Sequence, residues 1–386
     1  MRVQVVTSLF PSPPRPFEGV FAERRWHSML QRGHDVSVLH PQPHAPFPFL
    51  GGKWAEIHAM PKKEERSGLR VERPRYVHLP GRAIGNAMRF ARTAIGALRS
   101  GVDVVVCDYA WPAAMLAPAL AQRGIPCVVS GRGSDVLQVA GEAGLAAPLG
   151  RCLRAASGWC GVSQDLVTAL DELGGAPGRG YLVPNGVDVE LFRPSSRSAA
   201  RETLGLAVDG PLVLVVGHLI ERKDPLLALG VFAGGAPAAA RLVFIGSGPL
   251  EEQLRERARA LGVESRVSFA GERTPSELAA WYAACDALLL TSRREGRPNV
   301  VLEAFASGRP VLATEAGGTA ELVHDERMLA RTRVEGTLGT MLGALLEAPP
   351  AEAELLARVE GLSWDASAFA LESCLADACA RGADAG

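Results

Sequence analysis

The sequence predicts an α/β protein built from two similar-sized, doubly wound parallel-sheet domains, and three observations carry that expectation. Short apolar runs alternate with helical patterns along the whole chain. The runs are apolar at successive positions, as strands buried on both faces of a helix-covered parallel sheet must be. The alternation breaks once, around residue 190, and a second series begins at Leu212. A length of 386 residues allows two or three domains of roughly 150 residues each.

Taken in order, the expected strands cover 3–6, 36–39, 104–107, 126–130, 212–216, 242–245, 287–290 and 311–313. Between the first two, a helix over 20–32 places Ala22, Trp26, Met29 and Leu30 on one face, with Gly33 as its stop. Repeated strand–helix–strand units imply doubly wound sheets. The stretch 42–77 is Pro-rich, then mixed in charge, and reads as a long surface excursion. The unit pattern stops at Pro184-Asn185-Gly186-Val187-Asp188, followed by Phe192-Arg193-Pro194 and a polar run from Ser195, which sets the domains at 1–190 and 191–363. A last helix over 364–381 is expected to pack back on the first domain. Ligands of such folds bind beyond the carboxyl ends of the strands, so two facing sheets would place the working site in the cleft between them.

Composition narrows the function classes. With 41 Lys and Arg against 42 Asp and Glu, the net charge is −1, so no overall field draws the chain to nucleic acid or anionic lipid. Proportions of 47% hydrophobic and 22% charged residues exclude a disordered or collagen-like chain. The seven cysteines form no C-x2-C pair and suit small core residues in a reducing cytoplasm better than a disulfide framework or a zinc site. The chain opens directly on a strand, without a signal peptide, and no apolar stretch reaches the ~20 residues of a membrane span. A soluble cytoplasmic protein is expected. Lysine occurs only as Lys53, Lys62, Lys63 and Lys223, and asparagine only as Asn86, Asn185 and Asn299, as a GC-rich codon bias would produce. Lys223, Asn185 and Asn299 nevertheless stand in the motifs that follow.

The strongest motif is Glu295-Gly296-Arg297-Pro298-Asn299-Val300-Val301-Leu302-Glu303-Ala304, directly after the strand 287–290. Pro298 suits the first helical position, which would leave the N–H groups of Asn299, Val300 and Val301 unpaired and ready for an anion. Glu303, one turn beyond Asn299, can accept hydrogen bonds from two neighbouring hydroxyls, as on a ribose. Glu295, in the loop, can reach the hydroxyls of another ring. An isolated pair of glutamates more often caps or solvates a helix, so the surrounding pattern matters.

That pattern resembles the E-x7-E signature of retaining glycosyltransferases of the GT-B fold, in particular glycosyltransferase family 4. The similarity runs through Gly19, Gly133-Ser134-Asp135, Val162-Ser163, the turn 184–188, Val216-Gly217-His218-Leu219-Ile220 with Lys223, Gly246-Ser247-Gly248-Pro249-Leu250, Val267-Ser268-Phe269-Ala270-Gly271, and Gly317-Gly318 with Glu321. It implies two facing Rossmann-like domains, the first for the acceptor and the second for a nucleotide-activated sugar. Lys223 would then sit on the diphosphate with Arg222 or His218 nearby, although the family usually has Arg where His218 stands. Gly246 and Gly248 would let backbone approach the donor, and the segment at Arg266 and Val267 would bracket its base. Asn299, Val300 and Val301 would hold phosphate and Glu303 the ribose. Gly19, after the loop 8–18, would approach both diphosphate and acceptor.

The chain contains no Asp-x-Asp triplet, so protein groups rather than a metal cofactor are expected to meet the charge of the leaving group. The family retains the anomeric configuration. A same-face displacement fits, with a leaving-group phosphate oxygen taking the acceptor proton and Glu295 supporting the oxocarbenium charge. On the acceptor side, Arg132 replaces the histidine that many relatives carry and cannot act as a base. It either binds an acceptor phosphate or carboxylate or pairs with Asp135. Asp135 is the candidate polar contact to sugar or acceptor, and Asp108 and Tyr109, at another strand end, are further acceptor candidates. Arg82, Arg89, Arg92 and Arg99 lie along a helical stretch over 84–98; family members acting on lipid-linked acceptors use such helices at the inner face of the membrane, and a solvated helix face is the alternative.

The resemblance thus implies transfer of a sugar from a nucleoside diphosphate to a glycan or lipid-linked acceptor in bacterial cell-surface polysaccharide assembly. The alternatives are a GT-B nucleotide-sugar epimerase and a non-catalytic nucleotide-sugar-binding subunit. A glycogen-type phosphorylase needs a Schiff-base lysine in the C-terminal half, where Lys223 is the only lysine and stands in a phosphate-binding context.

Overall fold

Valine-rich runs build both sheets, because a β-branched side chain packs well on a pleated surface that is covered on each face. The computed structural model describes residues 1–44, 51–142 and 144–383. Its first unit comprises Met1–Asn185 with the segment from Trp364 onward, and its second Gly186–Ser363.

The first unit contains β1 (Arg2–Thr7), β2 (Asp35–Leu39), β3 (Gln42–Pro43), β4 (Lys63–Arg66), β5 (Leu69–Glu72), β6 (Arg75–Tyr76), β7 (Val104–Asp108), β8 (Cys127–Gly131), β9 (Gly158–Gly161) and β10 (Gly180–Leu182). Its main sheet runs β10-β9-β8-β7-β1-β2-β5-β4, parallel except for the β4–β5 pair. The topology corrects one expectation. The stretch 42–77, apart from 45–50, which lie outside the described residues, is not a surface excursion: β5 pairs with β2 through Ser37–Arg70 to Leu39–Glu72. Leu69 and Val71 are buried there, and Ile57 and Met60 are buried in a small separate cluster with Trp54. The strand Leu-Arg-Val-Glu is half-buried, so only two apolar residues mark it.

The helix Val20–Gln31 buries Ala22, Trp26 and Met29 against β1 and β2. The helix Trp364–Ala383 covers the same face, adding Ala368, Leu371, Cys374, Leu375 and Ala378 to that core. The two helices are also joined by Arg32, which donates to both Asp365 and Glu372, and by His34 on Glu372.

The second unit contains β11 (Leu212–Val216), β12 (Arg241–Ile245), β13 (Val267–Gly271), β14 (Ala287–Leu290), β15 (Val311–Thr314) and β16 (Leu329–Ala330). The boundary falls at 185/186 rather than 190, because Val187 and Phe192 are buried in this unit's core and the Val187 N–H donates to Leu362 O at 2.8 Å. The sheet is parallel throughout, in the order β13-β12-β11-β14-β15-β16. Counted within the unit this is 3-2-1-4-5-6, the order of dinucleotide-binding sheets, whose direction of winding reverses between the first and fourth strands. The loops after β11 and β14 therefore flank the switch point.

Candidate functional site

Lys223 follows β11 and Glu295 follows β14, and the structure brings them together: the ammonium donates to Glu295 Oε1 at 2.6 Å. Ser292, also buried, donates its hydroxyl to the same oxygen at 2.5 Å, and Arg222 Nη1 stands 3.7 Å from Oε2. Glu295 is only 6% exposed. Burial pushes its carboxyl up, but the Lys223 charge and hydrogen bond, the Ser292 hydroxyl and the Arg222 charge outweigh it and hold the pKa below the usual carboxylate range. The site therefore presents an ionised, oriented carboxylate with two cations beside it. His218 is exposed on the loop after β11.

The helix Asn299–Ala306 starts as a short motif allows, with one adjustment. Pro298 is extended (φ −73°, ψ 111°) and precedes the helix instead of occupying its first position. The Val301 N–H donates to Pro298 O at 3.1 Å, so Val301 is not the unpaired donor that was expected there. Glu303, one turn on, accepts from the buried Tyr282 hydroxyl at 3.2 Å. Burial and the neighbouring carboxylate push that phenol well up, so Tyr282 stays a donor and fixes Glu303.

Two donor-site expectations are corrected here. A Cβ on Gly246 would lie 2.1 Å from Gly217 O, and one on Gly248 would lie 2.4 Å from Leu219 O. These glycines are required by the approach of two loops to each other, sealed by Leu219 N–H to Ser247 O at 2.9 Å, so ligand proximity is not what explains them. Val267 pairs with Leu242 at the amino end of β12 and β13, whereas Gly271 pairs with Ile245 at the carboxyl end. About four residues at ~3.3 Å each separate Val267 from the edge that carries Lys223 and Glu295. Arg266 lies at the same far end, over the Phe232 ring. The residues at the carboxyl end are Gly271, Glu272 and Arg273, and Glu272 accepts from Ser247 Oγ.

In the first unit, Gly19 begins the helix Val20–Gln31 with φ 76°, and a Cβ there would meet Leu9 O at 2.9 Å. The loop after β1 is thus folded tightly onto itself. The acceptor candidates Arg132 and Asp108 form a buried bidentate pair, Nε to Oδ1 at 2.8 Å and Nη2 to Oδ2 at 2.9 Å. Arg132 therefore pairs with Asp108 and not through its side chain with Asp135, and at 3% and 1% side-chain exposure neither partner is presented to an acceptor. Burial would raise Asp108, but Arg132, Arg25 and the Trp26 N–H hold it below the ordinary range. Asp135 is corrected too. It is buried and accepts from the backbone N–H groups of Ala110, Arg132 and Gly133, so it shapes the turn into the helix Ser134–Gly141. Burial pushes its pKa up to about 6 despite those donors. Tyr109 is partly exposed at the end of β7, with φ 67°, and its hydroxyl meets Ser134 Oγ at 2.8 Å. A bulky residue in that backbone region is strained, a recurrent feature of functional sites, and Tyr109 remains the acceptor-side candidate.

Sequence reasoning missed Arg25. It is fully buried and donates to Ser367 Oγ, Val183 O, Pro184 O and Asn185 Oδ1, and burial followed by the Arg132 charge lowers its pKa to about 9. Its spacing from Ala22 and Met29 places it on the apolar face of its helix, which was a readable signal. Ser292 and Tyr282 carried none. Arg99 departs from the expected basic stripe, because it binds Asp35 and Ser37. On the helix Ala83–Gly96 and its approach, Arg82 and Arg92 are exposed beside Val77, Leu79, Ile84 and Met88, each at least 41% exposed. Among the described residues no group of three or more His, Cys, Asp or Glu could hold a metal ion, and no helix is long and apolar enough to cross a membrane.

Similarity to known proteins extends over both units. Residues 196–336 match the family described as Glycosyl transferases group 1, and residues 24–191 match Glycosyltransferase Family 4. A D-inositol 3-phosphate glycosyltransferase of Frankia alni is 32% identical over 296 residues, 69% of this chain and 72% of that one. A putative teichuronic acid biosynthesis glycosyltransferase of Bacillus subtilis is 28% identical over 83% of each chain. Sucrose-phosphate synthase from Thermosynechococcus elongatus shares the fold with a TM-score of 0.79 at 20% identity, over 97% of this chain and 98% of that one. Anabaena HepE in complex with UDP gives 0.72 at 20% identity over 97% and 100%. The pairing of Lys223 with Glu295 at the switch point and this breadth of similarity lead to one assignment: the chain belongs to glycosyltransferase family 4 and is a glycosyltransferase of the GT-B fold.

Proposed function

We propose that the protein transfers a sugar from a nucleoside-diphosphate sugar to a glycan or lipid-linked acceptor, with retention and without a metal, in cell-surface polysaccharide assembly. The observation that carries this reading is the ion pair of Lys223 and Glu295 on the two loops that flank the switch point. The ammonium, with Arg222 beside it, is suited to the diphosphate, and Glu295 to the sugar and the positive charge that develops on it. In a same-face displacement the bond from the anomeric carbon to the diphosphate oxygen breaks and the acceptor oxygen bonds to that carbon. The acceptor proton passes to the departing diphosphate. Tyr109 is the acceptor-side contact in this scheme.

The test is slow donor hydrolysis. One member of a panel of nucleotide sugars should raise the melting temperature and release its nucleoside diphosphate without acceptor, at a rate unchanged by EDTA. Release that stops in EDTA and returns with Mg²⁺ or Mn²⁺ contradicts the metal-free reading, and epimerised sugar without release supports the epimerase. A protein that binds a donor yet never turns it over is the binding subunit.

The exposed Val77, Leu79, Ile84 and Met88 with Arg82 and Arg92 support peripheral contact with an anionic membrane surface. Apolar side chains enter the headgroup boundary while guanidinium groups meet lipid phosphate. Phosphatidylglycerol vesicles should co-sediment the wild type at least tenfold better than an Ile84→Asp, Met88→Asp, Arg92→Glu variant. Equal sedimentation of the two removes the surface from the reading.

A further inference from the structure

We propose that Arg333 is the residue that positions Lys223 and Glu295, acting on both through their chain neighbours. This inference rests on reading that pair as the donor site. Arg333 lies beyond β16, at the edge of the second unit's sheet, and its guanidinium reaches back across the carboxyl ends of β15 and β14. Nη1 donates to Ser292 O at 2.9 Å and to Thr314 Oγ1 at 3.3 Å, and Nη2 to Asp224 Oδ2 at 2.6 Å and Thr291 O at 2.9 Å. One rigid, planar fork therefore joins two loops and the end of β15.

Asp224, Thr291 and Ser292 each lead to the site in one step, and Thr314 supports Ser292. Asp224 directly follows Lys223. It has a left-handed backbone (φ 47°), a costly conformation for a residue other than glycine. Thr291 reinforces the join, because its hydroxyl donates to Asp224 O at 2.8 Å and stands 3.3 Å from Lys223 O. Arg333 thus contributes to holding the turn from which the ammonium projects. Ser292 is the residue whose hydroxyl meets Glu295 Oε1. Its carbonyl is fixed by Arg333 and by the Thr314 hydroxyl at 2.8 Å, so the loop that carries Glu295 is anchored at its first residue beyond the strand and threonine. Arg293 also binds Asp224 Oδ2, at 2.8 Å, but its side chain is 63% exposed while that of Arg333 is 35%. Arg333 is therefore the inner of the two cations and the one that reaches the backbone just beyond β14.

Because a displacement of about 1 Å in a reacting group can lower a rate by 10²-fold, loosening this strap should act on turnover more than on binding. In Arg333→Met, kcat for the donor hydrolysed by the wild type should fall roughly 10–100-fold with less than a threefold change in donor KM, and Arg333→Lys should recover part of the loss. The loss should largely vanish in a Lys223→Ala background, as expected when two residues act through one arrangement. A readout independent of activity is amide hydrogen exchange. Residues 291–296 should exchange at least tenfold faster in Arg333→Met, while β12 keeps its protection. Unchanged exchange at 291–296 overturns the proposal, as do additive losses with Lys223→Ala or an equal loss of protection in β12, which would mark a general structural role. If no nucleotide sugar is turned over by the wild type, the donor reading fails, and the exchange measurement still decides whether Arg333 holds the two loops.

Discussion

Lys223→Ala should lower kcat for donor turnover by about 10²–10³-fold, the effect of removing one donor aimed at developing negative charge. A cation ~4 Å from a leaving oxygen is worth roughly 4 kcal/mol at an effective dielectric near 20. The substitution also removes the principal opposing influence on Glu295. Burial pushes that carboxyl up and Lys223 is the largest of the groups that pull it down, so the Glu295 pKa should rise in the variant. The sign follows: if the reaction needs the carboxylate, the acid limb of the kcat/KM profile moves to higher pH in Lys223→Ala, and part of the lost activity returns as pH is raised. Lys223→Arg keeps the charge and should lose much less. A loss below threefold in Lys223→Ala means that the ammonium does not meet the leaving group, whatever its contact with Glu295.

How much of this was readable depended on whether the signal was local. The apolar runs at 104–107 and 212–216 announced central strands because both faces are covered. The strand Leu69–Glu72 escaped because its exposed Arg70 and the neighbouring charges of 62–66 mask two buried apolar positions. Glu295 and Lys223 were legible through their motifs, and their mutual contact was not, since 72 residues separate them. Val267 was misplaced for a topological reason: in a parallel sheet the two ends of one strand lie on opposite edges, and a motif that spans the strand does not say which end meets a ligand. The glycines at 246 and 248 were correctly singled out as special, but what fills the space of their missing side chains is Gly217 and Leu219 backbone from another loop. Arg132 and Asp135 show the same limit. Both stand at strand ends where chemistry is expected, yet Asp108 and three backbone N–H groups already occupy their polar atoms. Arg333 had no motif at all, and only the folded sheet brings it across to Asp224 and Ser292.

Glu295→Gln should reduce donor turnover by at least 10³-fold while binding the nucleoside diphosphate about tenfold more tightly, a gain of roughly 1.4 kcal/mol. The two effects have opposite signs because the carboxylate has two partners in the catalytic cycle. In the structure it holds Lys223 at 2.6 Å, which lowers the positive potential available to a diphosphate. During transfer its charge supports the oxocarbenium-like sugar, an interaction made only as the anomeric bond breaks, so its loss appears in kcat. Glutamine preserves the shape of the site and can still accept from Ser292, whereas Glu295→Ala also leaves a cavity in a position that is 6% exposed and should lower the melting temperature as well. Calorimetric titration with the nucleoside diphosphate and a steady-state hydrolysis assay on the same two variants separate these contributions. Unimpaired turnover in Glu295→Gln and Glu295→Ala would remove Glu295 from the reaction. Weaker diphosphate binding in Glu295→Gln would mean that the carboxylate organises Lys223 for the ligand and does not compete with the ligand for it.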